Sequence, residues 1–301
     1  MTVAPTDFET VYAAVPAEQK ELLRRFRADH PYKEIDFNGT TWRYIACGQG
    51  ERALLFLPGG FLKADMYFYP ILALKDSFRI IVPDSYTHQG TFTMDDVCRA
   101  IVQILDTEQI HKATVVGLSA GGGIAQVLVQ EYPERVENLV LSHCGTIEPN
   151  PESEKQLRLL SRLAPLLPTS IMRRFILRKT TGPHPSSSQW VAFHDAYFQE
   201  GASEIRKGMI VHFLRTALEM RRSLRFDPER LRSWSGRVLV LSSKDDLLSI
   251  ESVEKHQQHY VNVQTHIFEQ GGHHTFMFFP ERYTDVLKGF LAKTWKVCQF
   301  A

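Results

Sequence analysis

The chain has 301 residues, enough for one large α/β domain, and its 44% apolar and 23% charged residues are ordinary for a globular protein. A net charge of +1 offers no global field for nucleic acid or a membrane surface. Cys47, Cys98, Cys144 and Cys298 show no CxxC spacing, so neither a metal site nor a disulfide framework is expected.

From the N-terminus, a stretch with two acids and two prolines lacks the basic-then-apolar pattern of a signal peptide. No later run approaches the roughly 18 apolar residues of an integral membrane segment. A reduced, cytoplasmic setting is the expectation. Glu18 to Arg27 has helical spacing, with Leu22, Leu23 and Phe26 near one face. Tyr32–Phe37 and Thr41–Cys47 flank Asn38-Gly39 and read as a β-hairpin. Continuous apolar runs follow at 53–57, 78–82, 113–117, 136–142, 238–242 and 263–268, the pattern of strands buried on both faces. Helical segments lie between them, at Ala64–Leu74, Met94–Thr107, Gly121–Tyr132, Ile250–His259 and Pro280–Lys296. This alternation predicts right-handed crossovers and a mostly parallel sheet with helices on both faces.

The stretch from 150 to 232 breaks the alternation. Leu157, Leu160, Leu163 and Leu167, then Ile171 and Phe175, keep helical spacing, and Ser170 is placed to cap the second helix. Between Pro151 and Ser235 there are 15 Lys/Arg against 8 Asp/Glu. The expected organisation is a core in two parts, 1–149 and 233–301, with a helical lid inserted at 150–232 after the sixth strand. Its charge reads either as a solvated helical face or as a preference for anionic or negatively polarised substrates.

The chemistry begins at Gly117-Leu118-Ser119-Ala120-Gly121, a G-x-S-x-G directly between a strand and a helix. Such a turn strains the serine backbone and lifts its hydroxyl clear of the sheet, while the helix N-terminus faces the site. A phosphate loop would need GxxxxGK[ST], and the lysine is missing. A serine nucleophile requires a base oriented by an acid. Asp245 and Asp246 follow the strand at 238–242, and His273 and His274 follow the last strand. Both loops open on the carboxyl edge, as Ser119 does. Asp245 and His273 are the favoured pair, with Glu148 a fallback acid. Oxyanion donors are expected from the backbone N–H of Ala120 and from the Pro58-Gly59-Gly60-Phe61 loop, with Gly60 before Phe61. Leu118, Phe61, Trp190 and His274 are candidate substrate-binding residues. Phe193, His194 and Tyr197 share the helical spacing of Trp190. Met66, Tyr67, Phe68, Phe276, Met277, Phe278 and Phe279 read as core or pocket wall, and His88 as a surface loop residue.

The segments LFLPGGF at 55–61, RIIVPD at 79–84, VVGLSAGGGIAQ at 115–126, VLVLSSKDD at 238–246 and GGHHTFMFFPE at 271–281 resemble the α/β-hydrolase superfamily over nearly the whole chain. The resemblance implies Ser119 as nucleophile, His273 as general base and acid, and Asp245 as orienting carboxylate. Within the superfamily, ADMYFYPILAL, RRFILRKTTGP and LSSKDDLLS look most like maspardin-like proteins, which can act as binding partners without catalysis. Two departures stand out: Pro58 replaces the usual His of the oxyanion loop, and Ser-Tyr-Thr-His-Gln-Gly at 85–90 replaces a glycine-rich loop.

The sequence predicts an α/β-hydrolase-fold serine hydrolase acting on a carboxylic ester or other small acyl substrate, needing no cofactor. It would bind no nucleic acid and exist as a monomer or homodimer. A non-catalytic adaptor and a thioesterase, lactonase or C–C hydrolase are the alternatives. An epoxide hydrolase or dehalogenase would place Asp where this chain has Ser119.

Overall fold

In the computed structural model, residues 7–85, 92–180, 184–223 and 226–292 are described. Eight strands form one sheet: β1 (Lys33–Phe37), β2 (Thr40–Gly48), β3 (Arg52–Leu57), β4 (Phe78–Pro83), β5 (Ala113–Leu118), β6 (Val136–Ser142), β7 (Val238–Ser243) and β8 (Val263–Phe268). Their order is β1-β2-β4-β3-β5-β6-β7-β8. Strand β2 runs against both neighbours, and from β4 to β8 every pairing is parallel. Asn38 (φ +53°) and Gly39 (φ +73°) supply the tight turn joining β1 to β2, because a right-handed hairpin twist favours positive φ at both positions.

The buried apolar runs have a direct cause in the two-sided cover of the sheet. Successive side chains point to opposite faces. Leu55, Leu57 and Val115 therefore pack on one side, with Val97, Ile101 and Leu128. Leu54, Phe56 and Val116 pack on the other, with Leu23, Ile71 and Leu287. The first side is covered by α3 (Met94–Thr107) and α4 (Ala120–Glu131), the second by α1 (Ala17–Asp29), α2 (Phe68–Leu74) and, near the C-terminus, a helix at Pro280–Leu291. Thr93 starts α3 with a capping box: its hydroxyl accepts from the Asp96 N–H at 3.1 Å, and Asp96 accepts from the Thr93 N–H at 3.1 Å.

Between β6 and β7 the described residues contain only helices and turns. The helices are α5 (Pro151–Leu163), α6 (Thr169–Thr180), α7 (Val191–Glu204) and α8 (Lys207–Ser223). A polar network fastens α7 to the core. Arg27 of α1 donates to Glu200 at 2.9 and 2.7 Å and to Asp65 at 2.7 Å, while Tyr197 donates to Asp65 at 2.6 Å. Helix α9 (Val253–His259) precedes β8, and after the short helical turn at Thr275–Phe278 the described chain ends on α10 (Pro280–Leu291).

Several sequence expectations shift locally. Ala64–Tyr67 forms a tighter 3-10 turn before α2. Helix α6 begins at Thr169, so Ser170 sits inside its first turn rather than capping it. Leu247–Ile250 is a separate turn ahead of α9. The apolar stripe of α5 and α6 has the right spacing but leaves Leu160, Leu163, Leu167 and Ile171 exposed. His88 and Cys298 lie outside the described residues, as does the end of the Pro280–Lys296 segment beyond Ala292. Among the described residues no helix is long and apolar enough to cross a membrane.

Candidate active site

Ser119 stands between the end of β5 and the first residue of α4 with φ +52° and ψ −116°. A non-glycine residue reaches this region only when its surroundings impose it. Here they do: strand and helix meet so closely that a Cβ on Gly121 would collide with the Leu57 carbonyl. The loop leaving β3 passes directly beside the serine, where a Cβ on Gly59 would lie 3.0 Å from the Ser119 Cβ. Ser85 Oγ donates to the Gly60 carbonyl at 2.5 Å and holds that loop in place. Gly60 and Phe61 both border the cavity above Ser119, and Phe61 packs on Phe213 of α8. Ala120 opens α4, so its N–H is one of the first-turn donors that a helix leaves without an intrahelical partner.

The histidine loop after β8 meets the acid loop after β7 on the same edge. His273 Nδ1 lies 2.8 Å from Asp246 Oδ2. The carboxylate partner is therefore Asp246, not the Asp245 expected from the sequence. In the turn leaving β7, the Asp246 N–H bonds to the Ser243 carbonyl at 3.1 Å and its side chain points inward. The exposed Asp245 instead accepts the Gly271 and Gly272 N–H groups at 3.0 and 2.9 Å. It fastens the backbone of the histidine loop. Glu148 lies elsewhere, paired with Lys255 and His259 at 3.0 Å each.

Asp246 is buried, which by itself would push its carboxyl upward. The hydrogen bond and charge of His273, then the Ser249 hydroxyl at 2.7 Å, outweigh that and hold it below the usual carboxylate range. Ser249 is supported in turn by Ser242 at 2.8 Å. His143, a residue the sequence reading did not single out, lies at the end of β6 with φ +47° and is fully buried. Its ring bonds Ser142 Oγ and Thr275 Oγ1, each at 3.0 Å, and sits edge-on to His273 with centroids 6.2 Å apart. Burial, then the neighbouring His273 charge, push His143 down to about 3, so it is a neutral prop. Its position at the carboxyl end of a core strand was the available signal.

Ser119, His273, His274 and Leu118 border one cavity of about 230 Å³. Ser119 and His273 make no hydrogen bond to each other; such contacts are often loose before a substrate is bound. Much of the remaining wall comes from the helical segment between β6 and β7, including Tyr197, Phe198 and Ile205. Trp190 is not part of it. Its ring is buried against Phe68 and Phe193, and its indole N–H donates to Glu281 at 3.1 Å. Phe193 belongs to the same core, and His194 lies behind His274, its Nε2 3.0 Å from His274 Nδ1. Among the described residues, one group could offer ligand atoms to a cation: His184, His194 and Asp195, within 4.8 Å of one another.

A sequence model of the alpha/beta hydrolase family matches residues 54–286. Of curated relatives, an AB hydrolase superfamily protein of Gibberella zeae is 29% identical over 133 residues, covering 40% of this chain and 47% of that protein. The chain thus spans about half the length of that relative. A putative carbamate hydrolase, RutD, of a Caulobacter species is 26% identical over 256 residues, covering 80% of this chain and 91% of the relative. Among solved structures, carboxylesterase CesB of Bacillus subtilis superposes with a TM-score of 0.67 at 18% identity, covering 96% of this chain and 98% of that one. The family match extends from β3 into α10 and takes in the serine turn, the acid loop and the histidine loop: the chain belongs to the alpha/beta hydrolase family.

Proposed function

We propose that this chain is a serine hydrolase that cleaves a carboxylic ester of a small or medium-sized molecule through an acyl-enzyme on Ser119. The observation that carries the reading is the His273–Asp246 hydrogen bond of 2.8 Å on a cavity that also holds Ser119 in its strained turn. His273 Nδ1–H donates to Asp246, leaving Nε2 to take the serine proton. Ser119 Oγ attacks the carbonyl carbon as its proton passes to His273, and the oxyanion accepts N–H donors from Ala120 and from Gly60 or Phe61. His273 then returns the proton to the leaving alcohol. Water, deprotonated by His273, attacks the acyl-enzyme and releases the acid. The helical segment at 150–232 acts as a lid, since its side chains line the cavity. The CesB likeness favours esters within a family whose relatives also include a putative carbamate hydrolase.

Intact-mass labelling with a fluorophosphonate tests this directly. Stoichiometric labelling of the wild type, absent in Ser119→Ala and strongly slowed in His273→Ala, is expected. A folded wild type that stays unlabelled while its cavity binds small ligands would move the assignment to a maspardin-like binding protein. Labelling without ester turnover would redirect it to thioesters, lactones or C–C bonds.

A further inference from the structure

Behind the cavity, a chain of polar groups runs from the surface to the cavity wall at His274, whose ring centroid lies 5.6 Å from that of His273. His184 Nε2 lies 2.9 Å from Asp195 Oδ1, His194 Nδ1 lies 3.1 Å from the same oxygen, and His194 Nε2 lies 3.0 Å from His274 Nδ1. The half-exposed carboxylate terminates the chain, and the two inner histidines are buried.

Proton positions along this chain follow from the distances. An ionised carboxylate only accepts hydrogen bonds, so His194 Nδ1 carries the proton facing Asp195. Burial keeps His194 neutral and therefore singly protonated, which leaves a lone pair on Nε2. His274 Nδ1 must then donate across the 3.0 Å contact. His274 is also held neutral, by burial and by the histidines around it, so its Nε2 carries a lone pair. That atom makes no hydrogen bond within the described protein, and it is not among the sealed polar atoms left without partners. The ring to which it belongs lines the cavity.

We propose that His274 Nε2 is a fixed hydrogen-bond acceptor for the substrate, held in that tautomer by the Asp195–His194 chain, so that preferred substrates carry a hydroxyl or amide N–H in the part that fills the cavity. An acceptor in an otherwise apolar wall loses water when a ligand enters and regains a partner only from a donor. A plain alkyl chain leaves it unpaired. A carbonyl or ether at the same place meets lone pair with lone pair. Asp195 and His194 act as positioning residues, since they reach the substrate only through His274. Turnover-based evidence for this subsite rests on the Ser119 reading; binding evidence does not.

Matched p-nitrophenyl esters of hexanoic acid and its monohydroxy derivatives, with the hydroxyl moved along the chain, provide the test. At least one hydroxylated ester is expected to exceed the plain ester about tenfold or more in kcat/KM. The ratio should fall to about one in His274→Phe and fall partway in Asp195→Leu. Calorimetric titration of Ser119→Ala with the same esters reads the preference as affinity, so absent hydrolysis with intact preference breaks only the serine-hydrolase reading. Nitrogen-15 spectra of the histidines should show His274 protonated at Nδ1 in the wild type and mixed in Asp195→Leu. Equal affinities at every hydroxyl position, a preference that survives His274→Phe, or a proton on His274 Nε2 would each overturn the proposal. So would loss of the preference on removing metal with EDTA, which would assign the His184–His194–Asp195 group to a cation instead.

Discussion

Every residue of β5 and of β7 is buried, whereas α5, in the helical segment between β6 and β7, buries none of its 13 residues. Of the nine large hydrophobic side chains most exposed among the described residues, seven fall between Leu159 and Phe175. The sheet holds the serine, acid and histidine loops against a close-packed base, where sub-ångström placement can be maintained. The helical segment between β6 and β7 has a small apolar cluster around Ala164, Met172, Ile205 and Ile210, packs Trp190, Phe193 and Tyr197 into the core, and is also tied there through Arg27, Asp65 and Glu200. The serine, acid and histidine loops thus rest on the close-packed sheet, while part of the cavity wall comes from the helical segment between β6 and β7.

The largest expected effect lies in the core and separates the two adjacent acids. Asp246→Ala should lower kcat by about 10⁴-fold, the scale seen when an orienting carboxylate is lost. Asp245→Ala, which releases two backbone N–H groups of the histidine loop, should cost about tenfold. Steady-state kinetics on one ester would decide; equal losses would mean that either carboxylate can orient His273.

Glycine substitutions compare backbone tolerance in the two regions. Gly121→Ala drives a methyl into the Leu57 backbone and should destabilise by about 3 kcal/mol in urea titration. Gly208→Ala in α8 meets nothing within 4 Å and should stabilise by about 0.5 kcal/mol through helix propensity. A destabilising Gly208→Ala would show that the helical segment between β6 and β7 is packed as tightly as the sheet.

The polar tie between the regions gives a third test. Arg27→Met leaves Asp65 and Glu200 without their cation and should cost about 3 kcal/mol, with faster hydrogen exchange in α7. Burial pushes the Glu200 carboxyl up, but the Arg27 hydrogen bond and charge prevail and its value is lowered in the folded state. The unfolded chain therefore binds this proton more readily. The contribution is present above the ordinary glutamate value and is lost as pH falls through the lowered one. The midpoint of urea unfolding should drop on acidification, and drop less steeply in Arg27→Met. An identical acid profile in both proteins would remove Glu200 as a cause.

The smallest effects separate apolar residues of equal size. Leu166, 78% exposed, should tolerate replacement by Ser within about 0.5 kcal/mol, whereas Leu139→Ala in β6 should cost about 2–5 kcal/mol. A large loss at Leu166 would mean that the exposed stripe is covered in solution.

What the sequence determined by itself were the features carried by local pattern. Apolar runs marked the strands because both faces of the sheet are covered, and the Asn38-Gly39 pair marked the hairpin turn. The glycine spacing around Ser119 marked a strand-to-helix turn, because only small residues allow that approach. Tertiary structure alone decided which of two adjacent acids meets the His273 ring, since both reach the histidine loop and only the fold assigns one to its backbone and the other to the imidazole. It also decided that Trp190 packs in the core while His274 meets the cavity, and that His143 supports the histidine loop from a different strand. Helical spacing in α5 and α6 marked helices, but burial is a property of the surroundings. Within the described residues Leu160, Leu163, Leu167 and Ile171 stay exposed although their spacing is that of a buried face.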